Sequence, residues 1–258
     1  MSEVETPFNP DTLEQPILGV SYNGPSNKSD QHDHQSGQLL HSIRGVIEVQ
    51  VENQLFIVPP NNAVWIPPSV MHCAVSRNPI HFRSLFIHPQ HCSLIRDTTH
   101  ILSVNELLKA LIKRLCEIER HELNDQSTES IVEVTLNEIA NATQRPFTVI
   151  ISSHDTIYRI YDFIQESNHW SLTNEDIASK FAMSLKTMNR LFQKETGMTF
   201  HQWITQVKLM LAMAWLSEGD SITMIAHRLC YSSDSAFIAQ FKRHLGMTPG
   251  EFYKENTQ

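Results

Sequence analysis

The sequence predicts an α+β chain in two parts. An amino-terminal antiparallel β-barrel or sandwich is followed by two helices, and then by an all-α carboxyl-terminal module with two helix-turn-helix units joined by a linker helix. Three observations predict it. Short apolar or alternating runs fill residues 38–88, a helical period takes over near Ser103, and one set of residues recurs with an offset of roughly 48 positions in the last part of the chain.

Taken in order, residues 1–30 are polar and rich in Asn, Ser, Pro and Gly, which predicts a poorly ordered lead-in. Strands are expected over 38–44, 46–51, 55–58, 63–66 and 82–87, broken at Gly45, Glu52-Asn53, Pro59-Pro60 and Pro67-Pro68-Ser69. They define a β region over 31–100. Ser103-x-x-Glu106 then reads as a capping box ahead of Leu107, Leu108, Leu111, Ile112, Leu115 and Ile118 at helical spacing. A second amphipathic stretch runs over 128–142, with Ile131, Val132, Leu136 and Ile139 inward. These helices, within 101–145, either cover the β region or pair two subunits, so a monomer and a homodimer are both open. Gln144-Arg145-Pro146 opens a linker over 146–156.

At 258 residues the chain is long enough for two domains with separate cores. Its 41% apolar and 19% charged residues are those of a soluble globular protein, and no apolar run approaches the ~18 residues of a membrane span. The acidic start Met1-Ser2-Glu3-Val4-Glu5 is the opposite of a secretory signal, so a cytoplasmic location without a membrane partner is expected. Cys73, Cys92, Cys116 and Cys230 are scattered, and nothing indicates a disulfide framework or a cysteine zinc site. The net charge of -8 argues against indiscriminate coating of nucleic acid and leaves room for a local basic patch.

The repeat carries most of the information. Ile177-Ala178, Phe192, Lys194 and Gly197-Met198-Thr199 return as Ile225-Ala226, Phe241, Lys242 and Gly246-Met247-Thr248. Each copy has a short helix, a tight turn and a second, capped helix, over about 174–195 and 221–244, within a domain of 157–255. In the first copy Thr173 caps with Asp176, Ser184 starts the second helix, and Leu185, Met188 and Phe192 turn inward. Lys186, Asn189, Arg190 and Gln193 then form an outer row, with Thr187 beside it. Such a row suits the major groove, where Arg pairs with guanine and Asn with adenine. In the second copy Ser232 or Ser233 caps, and the outer row is Asp234, Ser235, Ile238, Ala239 and Lys242, followed by Arg243. That row offers few donors to base edges. The first unit is therefore expected to read bases and the second mostly to grip phosphates, with Ile238 or Ala239 touching thymine methyls.

Residues 154–254 resemble the DNA-binding module of AraC/XylS transcription regulators. The resemblance rests on Ile177-Ala178, Ser184, Met188, Arg190, Phe192, Gly197, Leu209, Ala212, Ile225-Ala226, Ser233, Ser235, Phe237, Phe241-Lys242, Gly246 and Thr248-Pro249. Cys230-Tyr231 stands where that family usually has Gly-Phe, and Ala239 and Lys208 replace its usual arginines. In the amino-terminal half, His32-Asp33-His34, Gln38, Gly45 and Pro67-Pro68-Ser69-Val70-Met71-His72 resemble the two cupin motifs, so the β region is expected to be cupin-like. The resemblance implies a divalent metal at His32, His34 and His72, with Gln38 in place of the family's glutamate and Ser69 in place of its glycine. Residue chemistry leaves two readings open: a metal site, or a hydrogen-bonding cluster lining a small-molecule pocket.

The expected function is sequence-specific regulation of transcription on double-stranded DNA, controlled by a small-molecule or metal effector. RNA polymerase is a further possible partner, and no catalytic residue is expected. A metal-dependent cupin enzyme, or an adaptor that has lost DNA recognition, are the alternatives.

Overall fold

The computed structural model describes residues 10–12, 14–52, 54–76, 79–118, 126–144, 150–152, 154–166 and 169–257. Its backbone contacts divide the chain into two units. One comprises Met1–Ile43 and Asn61–Pro146, the other Arg44–Pro60 and Phe147–Gln258.

The first unit contains β1 (Ile17–Gly24), β2 (Asn27–Lys28), β3 (Gly37–Arg44, whose last residue passes to the other unit), β6 (Asn62–Ile66), β7 (His72–Ser76), β8 (Ile80–Ile87) and β9 (His100–Ser103). Between β3 and β6 the chain forms β4 (Ile47–Val51) and β5 (Gln54–Val58), which belong to the second unit. A five-stranded sheet runs in the order β1-β8-β3-β6-β9, and β2 pairs antiparallel with β7 in a second sheet.

One face of the five-stranded sheet presents Ile17, Leu39, Ala63, Trp65, Leu85, Ile87 and Leu102. Two helices cover it: α1 (Glu106–Glu117) through Leu108, Ile112 and Leu115, and α2 (Gln126–Asn141) through Val132, Leu136 and Ile139. Each fully buried Leu, Ile or Val contributes about 1.5–3 kcal/mol, so this layer is the main stabilising element of the unit. The approach of α1 is close. A Cβ on Gly19 would stand 2.5 Å from the Leu115 carbonyl oxygen and 2.7 Å from Cys116 Cα, so only glycine fits beneath the helix.

Three expectations for this half are corrected. Residues 17–24 are a strand registered on β8 from Ile17↔Ile87 to Gly24↔Ile80, not part of a loose lead-in. Their polar look comes from lying at a sheet edge, where one side of the strand stays partly exposed. The cap of α1 is Asn105, whose side chain accepts from Leu108 N–H at 2.7 Å, because Ser103 is still engaged in β9. The expected linker includes β10 (Ile150–Ser152), which pairs antiparallel with β5, and a helix already begins at Asp155. The start of that linker, 146–149, lies outside the described residues.

The second unit holds the β4-β5-β10 ribbon and the helices α3 (Asp155–Glu166), α4 (Asn174–Lys180), α5 (Leu185–Thr196), α6 (Phe200–Ser217), α7 (Ile222–Arg228), α8 (Asp234–Leu245) and α9 (Pro249–Thr257). Glu52, with φ 48°, supplies the left-handed backbone that the tight turn between β4 and β5 requires. α6 is buried on nearly all sides, as a helix joining two packed units must be. Each unit gathers aromatic rings on it. Phe192 lies 5.0 Å from both Phe200 and Trp203, and Phe237 and Phe241 are 5.7 Å apart with Phe252 5.8 Å beyond.

Candidate nucleic-acid interface and histidine pocket

The sequence repeat is also a repeat of backbone geometry. α4 starts on a reciprocal capping box between Thr173 and Asp176, whose bonds to Thr173 hold the Asp176 carboxyl below the usual carboxylate range. It ends where Met183 N–H donates to Ala178 O at 2.9 Å and Ala182 takes φ 54°. In the second copy α7 is capped by Ser221. It ends where Tyr231 N–H donates to Ala226 O at 2.9 Å and Cys230 takes φ 56°. The departure Cys230 for glycine is thus accommodated by a left-handed backbone, not by a distorted turn.

The second helices are also alike. α5 is capped by Ser184, which accepts from Thr187 N–H, and α8 by Ser233, which accepts from Ala236 N–H; this settles the choice between Ser232 and Ser233. Both helices end on a left-handed glycine, Gly197 at φ 74° and Gly246 at φ 77°.

The residues of the expected outer row of α5 differ in how they are engaged within the module. Lys186 and Arg190 are exposed. Asn189 is half-buried, and its Oδ1 accepts from Phe200 N–H at 3.0 Å, satisfying one of the orphan amides that open α6. Gln193 donates from Nε2 to Gly197 O at 2.9 Å, and the Thr187 hydroxyl lies 2.9 Å from that of Ser184. Asn189 Oδ1 is thus engaged in positioning the start of α6.

On α8, Ser235, Ala239, Lys242 and Arg243 are exposed, while Ile238 is half-buried. Asp234 accepts from the Thr223 hydroxyl at 2.6 Å, which fixes α8 against α7. In the sequence Lys208 stands out only as a departure from the family's usual arginine. In the structure it donates from Nζ to Leu229 O at 2.7 Å and lies over the rings of Trp170 and Tyr231, 5.8 and 5.6 Å from their centroids. Burial lowers its pKa. It lines a cleft of about 580 Å³ together with Trp170, His201, Tyr231 and Gln240, and it ties the linker helix to the second unit's turn.

The histidines come together as expected. His32, His34 and His72 each offer one ring nitrogen, and these nitrogens lie within 4.8 Å of one another. His32 and His72 exchange both backbone hydrogen bonds, at 3.0 and 2.9 Å, in an isolated antiparallel bridge. Ser69, with φ 60°, turns the chain back into that bridge, which accounts for a glycine at this place in the cupin pattern.

Each Nδ1 faces a backbone carbonyl: Asp30 O at 2.8 Å, Ser36 O at 2.7 Å and Val70 O at 2.8 Å. A carbonyl only accepts, so each Nδ1 carries the hydrogen, and in the neutral ring each Nε2 is a lone pair. Burial lowers His72 to about 4, so it is neutral near pH 7. Gln38 lies between two of these rings, with Oε1 3.2 Å from His34 Nε2 and 3.0 Å from His72 Nε2, and with Nε2 2.8 Å from Ser84 Oγ.

Two lone pairs facing a carbonyl oxygen repel unless a cation lies among them. Three oriented imidazoles and an amide oxygen form a neutral ligand set that fits a borderline divalent metal. With the amide turned over, its NH₂ donates to both rings and Ser84 donates to its carbonyl, which gives the hydrogen-bonded alternative.

Comparison with known proteins agrees with both halves. A family model described as helix-turn-helix domain matches residues 177–255, and one described as AraC-like ligand binding domain matches 15–142. The chain is 34% identical to the HTH-type transcriptional regulator NimR of Escherichia coli K12, over 87% of this chain and 82% of that protein. It is 26% identical to the virulence regulon transcriptional activator VirF of Yersinia enterocolitica, over 87% and 83%. Among solved structures, unsaturated-fatty-acid-bound ToxT of Vibrio cholerae aligns over 93% of this chain and 95% of that one, with 11% identity and a TM-score of 0.40.

Proposed function

Because the chain belongs to the AraC family of DNA-binding transcriptional regulators, with an amino-terminal ligand-binding domain, we propose that its two helix-turn-helix units divide the work on DNA. α5 reads base edges through Arg190 and Lys186, and α8 grips phosphates through Lys242 and Arg243. The observation that carries this is the repeated turn geometry. It leaves a cationic pair exposed on each second helix, while Asn189, Gln193 and Asp234 are engaged within the module.

The effector proposed for the amino-terminal domain is a divalent metal held by His32, His34 and His72, with Gln38 as a fourth, neutral ligand. The clustering of one ring nitrogen from each histidine within 4.8 Å supports it, together with the Nδ1 hydrogen bonds that leave each Nε2 as a lone pair. In this reading the pocket senses and does not turn over a substrate. The curated relatives it matches are named as transcriptional regulators. Among the described residues no helix is long and apolar enough to cross a membrane, and the proposed place of action is the cytoplasm.

The test is genome-wide DNA capture with the purified full chain, loaded with Zn²⁺ or Ni²⁺ and after chelation, alongside calorimetric titration of the metal. Specific sites whose occupancy changes with metal are expected. Capture without sequence preference would overturn the base-reading assignment. Absence of metal binding in wild type, or binding undiminished in His72→Ala, would overturn the metal and leave the hydrogen-bonded pocket for an organic effector.

A further inference from the structure

Glu48 is the one carboxylate among the buried side chains of the described residues, with 5% of its surface exposed. It lies on β4, in the amino-terminal half of the sequence, yet its partners belong to the helical module. Cross-strand pairing puts Glu48 opposite Ile57 and Gln50 opposite Leu55, so these four side chains share one face of the hairpin. Leu55 and Ile57 are members of the same apolar cluster as Ile157, Ile160, Trp203 and Phe192. On that face Tyr161, 1% exposed on α3, donates its hydroxyl to Glu48 Oε1 at 2.9 Å and accepts from Gln165 Nε2 at 3.0 Å.

The Tyr161 ring meets Trp203 edge-on, with centroids 6.4 Å apart, and Trp203 packs on Phe192 at 5.0 Å. Phe192 lies on α5, two residues beyond Arg190. A hydrogen bond in such a buried place is stronger than one in water and highly directional. It fixes the rotation of the Tyr161 ring, and the ring fixes the aromatic stack on which α5 rests.

We propose that Glu48 is a positioning residue for DNA reading. Through Tyr161 it sets the pose of α5, so the hairpin Arg44–Pro60 is a working part of the DNA-binding module. β3 carries Gln38 near its start and continues through Gly45 into β4. The strand beside the histidines and the strand that bears Glu48 are thus one stretch of chain.

The proposal rests on the reading that α5 recognises bases, and the experiment separates the two. The full-length protein, Tyr161→Phe, Glu48→Gln and Arg190→Ala are titrated on an operator selected from randomised duplexes and on a scrambled duplex, with melting temperatures recorded. Tyr161→Phe keeps the ring and removes only the hydroxyl. Its operator-over-scrambled affinity ratio is expected to fall about three- to tenfold, the usual worth of one hydrogen bond, while binding to the scrambled duplex holds.

Glu48→Gln keeps an oxygen for that hydroxyl and is expected to retain most of the ratio. An unchanged ratio in Tyr161→Phe overturns the proposal, as does an equal loss on both duplexes, the mark of a module that is merely destabilised. If Arg190→Ala leaves the ratio intact, the base-reading assignment itself has failed. If Arg190→Ala lowers it and Tyr161→Phe does not, the positioning role alone has failed.

Discussion

Asn189→Ala separates what the sequence suggests at this position from what the structure places there. As an adenine reader, Asn189 would affect only specificity when truncated, at about 1–3 kcal/mol for the base pair it recognises. The structure instead commits its Oδ1 to Phe200 N–H at 3.0 Å, and Phe200 is fully buried at the first turn of α6. Removing the acceptor leaves a buried backbone donor without a partner, at a cost of about 1–3 kcal/mol. For a chain of this size each kcal/mol lowers the melting temperature by about 2–4 °C, so a fall of roughly 2–12 °C is expected. Asn189→Asp keeps an acceptor and adds a negative charge near a helix amino terminus, and it is expected to melt close to wild type. The assay is thermal melting of the three proteins, with base preference profiled on single-position operator variants. Unchanged melting in Asn189→Ala, together with relaxed preference at one base pair, would refute this assignment and restore the base contact.

Arg190→Ala should flatten base preference in that same profile, whereas Lys242→Ala should weaken all duplexes alike and reduce the slope of log K against log salt by about 1; the reverse pattern would exchange the roles of α5 and α8. Burial lowers His41 from 6.5 to about 4, with the charges of Lys109 and Arg83 opposing protonation and a backbone bond to Asn62 O favouring it. Between those values the unfolded chain binds a proton that the folded chain refuses. Stability should therefore fall as pH drops from about 6.5 to 4, by up to roughly 3 kcal/mol from this group, with no contribution from it above 6.5. His72 adds to the same window. Urea unfolding against pH should show a shallower slope in His41→Gln, and an identical slope would exclude His41 as a source. Gly19→Ala forces a methyl against the α1 backbone and should cost at least 1–3 kcal/mol in the same unfolding assay, as overpacking does; a neutral result would mean that α1 shifts freely on the sheet.

The sequence shows the repeat plainly because helix-turn-helix geometry depends on local signals. Thr173, Ser184, Gly197 and Gly246 act within a few residues of themselves, and each occupies the cap it suggests. The inward stripe Met188–Phe192 and Phe237–Phe241 follows from helical period alone. β1 was hidden because an edge strand with Gly19, Ser21 and Asn23 has no continuous apolar run, and its identity depends on a partner more than fifty positions away. The commitments of Asn189 and Gln193 were hidden for the opposite reason. Helical spacing places them on the outer row, but only the path of the chain after Gly197 brings Phe200 N–H within reach of one and Gly197 O within reach of the other. His32, His34 and His72 were legible as a set from their cupin-like pattern. The choice of hydrogen position on each ring, which decides what they can bind, needed the carbonyls of Asp30, Ser36 and Val70.

The allegiance of Arg44–Pro60 bears on how such proteins can be cut and recombined. A fragment started at residue 147 would keep every helix of the module but lose Leu55, Ile57 and the oxygen under Tyr161, exposing an oily gap beside α3. Chimeras that join one regulator's sensor to another's reading head at a single seam would mismatch that gap. Grafts that carry the ribbon with the head, at the expense of two extra junctions, should yield the soluble and responsive hybrids.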